Sequence, residues 1–356
     1  MKKTVTIVGA RPQFVKAAML SRRFIQLGVN ECIINTGQHF DNNMSSVFFE
    51  EMEIPAPTYN LNIHSLTHGA MTGKMLEAIE KILLKEKTDS VLVYGDTNST
   101  LAGALAASKL HIPVFHIEAG LRSFNANMPE EINRILTDRI SSVLFCPTET
   151  AVKNLQREGF DHFNIEIIKN GDVMQDAAMF YAKKAEEKSN IIKMLDLQDF
   201  ILATIHRQEN TDNPENLKNI IFALNEINKQ IQVVVPLHPR TKNVIENQGI
   251  KAHFEIIEPV SYFDMLMLLK SCKMVITDSG GLQKEAFFFG KHCITLRKET
   301  EWIELVENGF NILTSSSFEK IKNAFEILMD KKSDFSVNLY GNGDAAKIAA
   351  KYILEK

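Results

Sequence analysis

Short apolar runs rich in β-branched residues recur along the chain, and longer segments with helical periodicity separate them. This alternation is typical of βα units that build a parallel sheet. In the first half it predicts helices over Met75–Glu86 and Thr100–Lys109. It predicts strands over Thr4–Val8, Glu31–Thr36, Ser90–Tyr94, Val114–Ile117 and Val143–Cys146. The fold class that follows is α/β.

A second series of strands begins near Ile165–Ile168 and continues with Phe200–Thr204, Gln232–Pro236, Phe254–Ile257, Met274–Thr277 and His292–Thr295. Two domains also suit a length of 356 residues better than one. We predict a first Rossmann-like domain over residues 1–170 and a second over 171–340, with the helical segment Val173–Asn190 crossing between them. A last helix within residues 341–356 is expected to pack back on the first domain.

Composition excludes several classes of protein. The formal net charge of −4 gives no reason to expect a basic surface for nucleic acid. The apolar run at the N-terminus is too short for a signal peptide or a membrane span, so we expect a cytoplasmic protein without a membrane partner. The four cysteines are far apart and lie in or beside apolar stretches, which predicts buried thiols.

Candidate site residues follow predicted strands, where ligands bind in open α/β sheets. Gly9–Lys16 leaves the first strand and opens a helix whose N–H groups favour an anion, with Arg11 and Lys16 adding positive charge. The segment lacks the GxGxxG pattern of a nicotinamide site. A helix started by proline, with Arg11 and Lys16 merely on the surface, is an equal alternative.

The second domain has a glycine turn of the same kind. Ser279, Gly280 and Gly281 follow a strand and open a helix, a combination that can cradle a diphosphate through backbone N–H groups. Glu285 falls one turn inside that helix, where a carboxylate can accept both hydroxyls of a ribose. The alternative is an ordinary tight turn, but a serine and two glycines together favour phosphate binding.

Acidic residues form the main set of proton-transfer candidates. Asp96 follows a strand and also suits the N-cap of the next helix. Glu118 ends an apolar strand, where an acid requires a partner or a function. Glu130 and Glu131 come directly after Pro129, and this is also the ordinary composition of a first helical turn.

Histidines complete the candidate set. His206 follows the strand Phe200–Thr204, where it can donate to phosphate or move a proton, although a lone histidine is more often structural. His238 and Arg240 repeat this position after the next strand. We find no cluster of metal ligands in the sequence and expect neither a metal nor an added cofactor.

The motifs resemble those of the bacterial UDP-N-acetylglucosamine 2-epimerase family, and the match is collinear over nearly the whole chain. They are Gly-Ala-Arg-Pro-Gln-Phe-Val-Lys (9–16), Thr-Gly-Gln-His (36–39), Gly-Asp-Thr-Asn-Ser-Thr (95–100), His-Ile-Glu-Ala-Gly-Leu-Arg-Ser (116–123), Pro-Glu-Glu-Ile-Asn-Arg (129–134) and Thr-Asp-Ser-Gly-Gly (277–281). The resemblance implies a glycosyltransferase-B arrangement with an active-site cleft between the domains, a homodimer, and no added cofactor. The implied reaction eliminates UDP and adds it back, inverting carbon 2 without hydrolysis.

The resemblance also implies residue roles. Asp96, Glu118 and Glu130 match the catalytic acids, and His206 matches a histidine near the diphosphate. Gln38 and Arg134 are expected neighbours of the site. The matches to nucleotide contacts are Arg11, Lys16, Ser279, Gly280, Gly281 and Glu285.

Some segments of the sequence are more similar to one branch of this family, whose members act on UDP-2,3-diacetamido-2,3-dideoxy-glucuronate. Enzymes of this branch serve O-antigen synthesis. Trp302 stands where UDP-N-acetylglucosamine enzymes usually have arginine, and the stretch Arg122–Pro129 is short. Phe40 and Asp41 follow His39, and Gln208 follows Arg207, so the polar set that the family uses for allosteric activation by UDP-GlcNAc is incomplete. The two branches remain equal alternatives at this stage.

Three other functions remain open from the sequence. A hydrolysing epimerase would release UDP and free N-acetylmannosamine. A glycosyltransferase shares the predicted arrangement and the diphosphate turn, but it rarely needs three acids around carbon 2. A non-catalytic sensor of nucleotide sugars would not need to retain every acid.

Overall fold

The computed structural model describes residues 2–38 and 52–356, and the chain divides into two compact units. The first unit comprises Met1–Ala177 and Asn338–Lys356, and the second comprises Ala178–Val337. Each unit contains a parallel sheet with intervening helices. The predicted α/β class with two Rossmann-like sheets is therefore confirmed.

The sheet of the first unit has the strand order β3-β2-β1-β4-β5-β6-β7, and its recorded strand pairs are parallel. The order reverses between β1 and β4, which is where doubly wound sheets bind ligands. The strands are β1 (Lys3–Val8), β2 (Asn30–Asn35), β3 (Tyr59–Asn60), β4 (Ser90–Tyr94), β5 (Val114–Ile117), β6 (Val143–Cys146) and β7 (Glu166–Lys169). The helices of this part are α1 (Arg11–Leu27), α2 (His68–Glu86), α3 (Asn98–Lys109), α4 (Pro129–Ile140), α5 (Glu149–Arg157) and α6 (Val173–Lys188), the last of which continues into the second unit.

Strand β7 corrects one prediction. It pairs in parallel with β6, from Val143 opposite Glu166 to Cys146 opposite Lys169, so it closes the first sheet. The expectation that a second series of strands starts near Ile165–Ile168 is therefore wrong. The apolar run identified a strand correctly, but pairing with β6 decides the sheet to which it belongs.

The sheet of the second unit repeats the same pattern, with strand order β10-β9-β8-β11-β12-β13 and a reversal between β8 and β11. Its strands are β8 (Phe200–Thr204), β9 (Gln232–Pro236), β10 (Glu255–Ile257), β11 (Met274–Thr277), β12 (His292–Thr295) and β13 (Asn311–Leu313). Its helices are α7 (Ile191–Met194), α8 (Gln208–Thr211), α9 (Pro214–Asn228), α10 (Pro239–Asn247), α11 (Tyr262–Ser271), α12 (Gly280–Phe288), α13 (Ile303–Glu307) and α14 (Phe318–Met329). The short strands β3 and β13 were not predicted.

Apolar side chains cover both faces of the second sheet. Ile201 and Ala203 of β8 lie in one core cluster, whereas Phe200 and Leu202 lie in another. Successive side chains of a strand point to opposite faces, so a strand buried on both faces must be apolar throughout. This is why the strands were readily found as continuous apolar runs.

The C-terminal helix α15 (Ala345–Glu355) belongs to the first unit and packs against α1. Asp176 accepts hydrogen bonds from the backbone N–H groups of Ala345 and Ala346, at 3.3 and 2.8 Å, at the start of this helix. Burial raises the pKa of Asp176 to about 6, although these two N–H groups oppose the rise. The carboxyl group therefore ties α6 to α15.

The four cysteines are buried and unpaired, as predicted. In residues 2–38 and 52–356, no helix has both the length and the apolar character needed to cross a membrane.

Candidate active site

The strand ends of β1, β4 and β5 lie side by side and bring three distant sequence motifs together. Lys16, in the second turn of α1, forms an ion pair with Glu118, which follows β5. Only 7% and 11% of their side-chain surfaces are exposed. Arg11 opens the same helix and is half-buried. A cation and a carboxylate separated by 102 residues thus meet at the switch point of the sheet.

Asp96 follows β4 and forms a second ion pair beside the first. The Arg134 Nη2 atom of α4 lies 2.6 Å from the Asp96 carboxylate. Loss of solvation raises the pKa of Asp96, Arg134 opposes this, and the charge of Glu118 adds to it. A raised pKa at a strand end is typical of groups that exchange protons.

The backbone around these acids adopts uncommon conformations. Glu118 has a φ angle of +69° and Gly95 one of +60°. A β-carbon at Gly95 would lie 3.2 Å from the Glu118 Oε2 atom, so the glycine allows the carboxylate to approach. A left-handed conformation at a residue other than glycine costs about 1–3 kcal/mol and clusters at functional sites.

Glu130 and Glu131 differ sharply although they are adjacent in α4. Glu130 is exposed, whereas Glu131 is buried. The Glu131 carboxylate accepts hydrogen bonds from the Ser123 and Phe124 N–H groups, both at 2.9 Å. Glu131 therefore shapes the preceding loop and Glu130 remains accessible.

Two residues that the sequence did not single out hold the strand ends together. Gln13 accepts from the Gly9 N–H at 2.8 Å and donates to the Tyr94 carbonyl at 2.8 Å, joining the ends of β1 and β4. Asn133 donates to the Asp96 carbonyl at 2.9 Å. Gln38, an expected neighbour, accepts from the Ser99 N–H at 3.0 Å and from its hydroxyl at 2.8 Å. The available signal for Gln13 and Asn133 was their place inside the motifs at 9–16 and 129–134.

In the second unit, His206 and Asp278 form a pair across the switch point between β8 and β11. The His206 Nδ1 atom lies 2.7 Å from the buried Asp278 carboxylate, and 57% of the imidazole side chain is exposed. Burial works against ionisation of Asp278, but its contacts with His206, Asn210 and the Arg207 N–H outweigh it and lower its pKa. Asp278 therefore fixes the ring through Nδ1 and leaves Nε2 facing outward.

The predicted phosphate turn lies next to this pair. Ser279 caps α12 by accepting from the Leu282 N–H at 3.4 Å, and Gly280 and Gly281 form the first helical positions. Apart from its chain neighbours and the backbone of α12, no residue in the described part of the chain has an atom within 4 Å of a β-carbon built on Gly281, so the turn is open there. Glu285 is buried and accepts from the Tyr262 hydroxyl at 3.2 Å.

A buried ion pair supports the turn from β12. The Arg297 Nη1 atom lies 2.8 Å from a Glu301 carboxylate oxygen, and both groups lie within 4 Å of a β-carbon built on Gly280. Trp302 is also buried, with its ring centroid 4.2 Å from the Lys284 Nζ atom. The residue that replaces the usual arginine thus packs under α12.

His238 and Arg240 occupy the end of β9 with partners of their own. His238 caps α10, and its Nδ1 atom accepts from the Arg240 N–H at 3.2 Å. Arg240 pairs on the surface with Asp212 at 3.0 Å.

His39, Phe40 and Asp41 lie outside the described residues. Among the described residues, no three His, Cys, Asp or Glu side chains are grouped to hold a metal ion.

Two sheets of the 3-2-1-4-5-6 type, each with charged residues at its switch point, define a doubly wound α/β protein with a candidate ligand site at each switch point. The family model for UDP-N-acetylglucosamine 2-epimerase matches residues 25–354, and the chain belongs to this family.

Similar proteins agree with the family assignment. The chain is 54% identical, over 99% of both chains, to the UDP-2,3-diacetamido-2,3-dideoxy-D-glucuronate 2-epimerase of Pseudomonas aeruginosa. It is 46% identical to a UDP-N-acetylglucosamine 2-epimerase of Methanocaldococcus jannaschii, over 97% of both chains. A crystal structure of the enzyme from that organism, in complex with UDP-GlcNAc and UDP, matches with a TM-score of 0.92 at 45% identity and covers 100% of each chain. The resemblance seen in the motifs is therefore confirmed.

Proposed function

We propose that this chain is a non-hydrolysing UDP-sugar 2-epimerase whose substrate is UDP-2,3-diacetamido-2,3-dideoxy-D-glucuronate. The choice of sugar rests on the Pseudomonas aeruginosa relative, which is 54% identical over 99% of the chain. The observation that carries the chemistry is the group of acids at one sheet edge: Glu118 paired with Lys16, and Asp96 paired with Arg134. Two carboxyl groups in different charge environments suit two proton transfers.

In the proposed reaction, a base removes the weakly acidic proton at C2 while the C1–O bond to UDP breaks. A double bond forms between C1 and C2, giving free UDP and the corresponding 2-acetamidoglycal, which keeps the substituents at C3 and C6. UDP then adds back to C1 and a proton reaches C2 from the other face. All atoms are recovered and only the configuration at C2 changes.

We assign removal of the proton to Glu118, because the Lys16 ammonium stabilises its carboxylate form. We assign return of the proton to Asp96, because it follows the neighbouring strand β4 and its pKa is raised above the ordinary value, so it takes up a proton more readily than an ordinary aspartate. In the reverse reaction each group takes the other's part. Glu130, which is exposed on the first turn of α4, is the third acid that we expect to contact the sugar.

The second unit is proposed to hold UDP. Ser279, Gly280 and Gly281 supply N–H groups for the diphosphate, and Glu285 accepts the ribose hydroxyls. His206, oriented by Asp278, donates to the leaving diphosphate through Nε2. Arg11 and Lys16, which match nucleotide contacts of the family, are also proposed to supply positive charge for UDP.

We also propose that the protein acts as a cytoplasmic homodimer in surface polysaccharide synthesis, such as that of O-antigen, without an added cofactor or nucleic-acid partner. This rests on the family and on the net charge of −4. Light scattering coupled to size exclusion is expected to give twice the chain mass of 40.2 kDa. The mass of a single chain would overturn the dimer.

The test is proton NMR in deuterated water with UDP-2,3-diacetamido-2,3-dideoxy-D-glucuronate and, separately, UDP-GlcNAc. We expect deuterium at C2 and an intact UDP-sugar of inverted configuration with the first compound. Faster turnover of UDP-GlcNAc would overturn the proposed sugar but not the reaction. Accumulation of free sugar would establish a hydrolysing enzyme, and absence of exchange with both compounds would favour a transferase or a sensor.

A further inference from the structure

His116 lies on β5, two residues before Glu118, and is fully buried. Its Nδ1 atom lies 2.8 Å from an Asp138 carboxylate oxygen, and its Nε2 atom lies 2.7 Å from the Gly95 carbonyl oxygen. A carbonyl oxygen only accepts hydrogen bonds, and an ionised carboxylate also only accepts. Both ring nitrogens therefore face acceptors if Asp138 is ionised.

The contacts of Asp138 require the ionised form. Its second oxygen accepts from the Gly120 N–H at 3.2 Å and from the Arg122 Nη1 atom at 2.7 Å. Burial works against ionisation, but contacts with His116 and Arg122 outweigh it, and the pKa of Asp138 lies below its ordinary value. Both of these donors lie on Oδ2, so the one hydrogen between His116 and Asp138 is shared by Nδ1 and Oδ1. The Arg122 guanidinium on the same carboxyl group stabilises its ionised form, which assigns that hydrogen to Nδ1.

We propose that His116 is a doubly protonated positioning residue that holds the Gly95–Asp96 turn and Glu118 in place for proton transfer. Only the imidazolium has a hydrogen on each ring nitrogen, so only this form makes both bonds. This proposal deepens the proposed epimerase function. Only the tests that measure activity rest on that function.

The charges around the ring are balanced, and this balance offsets the desolvation cost of a buried imidazolium. Arg122 binds Asp138 and also forms two bonds to Glu158, at 2.6 and 2.9 Å. Two cations thus face two carboxylates. The nearby Cys146 thiol stays neutral, because burial raises its pKa well above the ordinary value.

The bond to Gly95 acts directly on the strand ends. The Gly95 N–H donates to the Ile117 carbonyl at 2.9 Å, so β5 holds this residue through both its backbone and the His116 side chain. Glu118 has a positive φ angle, which a residue other than glycine keeps only where several contacts enforce it. A charge-assisted hydrogen bond is about twice as strong as a neutral one and is suited to this purpose.

The direct test is neutron diffraction from crystals of the unaltered protein in deuterated buffer at about pH 8, well above the ordinary histidine pKa. We expect deuterium on both ring nitrogens of His116. Deuterium on one nitrogen alone would overturn the proposal. This measurement needs neither activity nor a variant, so it stands even if the proposed reaction proves wrong.

Variants test the positioning role. We expect His116→Gln to lower kcat about 10–100-fold, as loss of a supporting contact commonly does, with little change in KM. Activity is expressed for each UDP-binding site counted by calorimetry, so partial misfolding alone leaves kcat unchanged. The exposed His162→Gln serves as the control. An unchanged kcat per site in His116→Gln would refute the role.

Asp138→Asn supplies an independent variant, because asparagine accepts the Nδ1–H bond but removes the charge that stabilises the imidazolium. We expect the His116 ring in 15N-labelled protein to change from imidazolium to a neutral tautomer, with a similar fall in kcat. An imidazolium signal that persists in this variant would contradict the charge argument.

Discussion

Replacing Glu31 with glutamine is expected to stabilise the protein above neutral pH and to change its stability little in acid. Glu31 lies on β2, and burial raises the pKa of its carboxyl group from the ordinary 4.5 to about 7. The Thr6 hydroxyl donates to it at 2.5 Å and opposes the rise. A glutamine oxygen can accept the same bond, so the substitution removes the charge and little else.

The sign follows from proton binding in the two states. Below pH 4.5 both states are protonated and Glu31 has no effect on the pH dependence. Between 4.5 and about 7 the folded state keeps a proton that the unfolded state has lost, so stability falls as pH rises. At about 1.4 kcal/mol for each pH unit, this interval corresponds to a total of about 3 kcal/mol.

The assay is urea unfolding of the unaltered protein and of Glu31→Gln at about pH 5, near the lower end of the interval, and at about pH 8, above its upper end. The gain in unfolding free energy on substitution should be larger by about 2–3 kcal/mol at the higher pH. Asp161→Asn, at an exposed acid, is the control. A gain that is equal at the two pH values would refute the burial argument.

Three further predictions test the sites and the fold. Glu118→Gln should keep UDP affinity in calorimetry while turnover falls at least about 100-fold, and full activity would remove Glu118 from catalysis. Asp278→Asn should lower kcat about 10–100-fold, because asparagine can accept the Nδ1–H bond of His206 but lacks the negative charge that strengthens it; Asp212→Asn, at the exposed partner of Arg240, should not. Gly171→Ala should destabilise the protein by about 3 kcal/mol in urea unfolding, since φ is +88° and the new β-carbon would lie 2.7 Å from the Tyr340 carbonyl oxygen. Gly28→Ala, also left-handed but with open space, should cost only about 1 kcal/mol, and equal costs would contradict the steric reasoning.

The sequence alone was sufficient for the α/β class, for most strand positions and for the motifs of the candidate site. Strands buried on both faces are continuous apolar runs, and residues 200–204, 274–277 and 292–295 were predicted with the bounds that the structure has. Turn chemistry is equally local, because a serine and two glycines after a strand indicate an anion-binding helix start wherever the strand lies.

Only the tertiary structure decided which groups are partners. Glu130 and Glu131 have the same local pattern, yet the loop over Ser123 and Phe124 buries one and leaves the other exposed. The partners of Asp278 and His116 are 72 and 22 residues away, and the strand order brings them together. Hydrophobic periodicity shows which faces of a segment are buried. The pairing of segments depends on contacts between residues far apart in the chain, and no local pattern specifies these contacts.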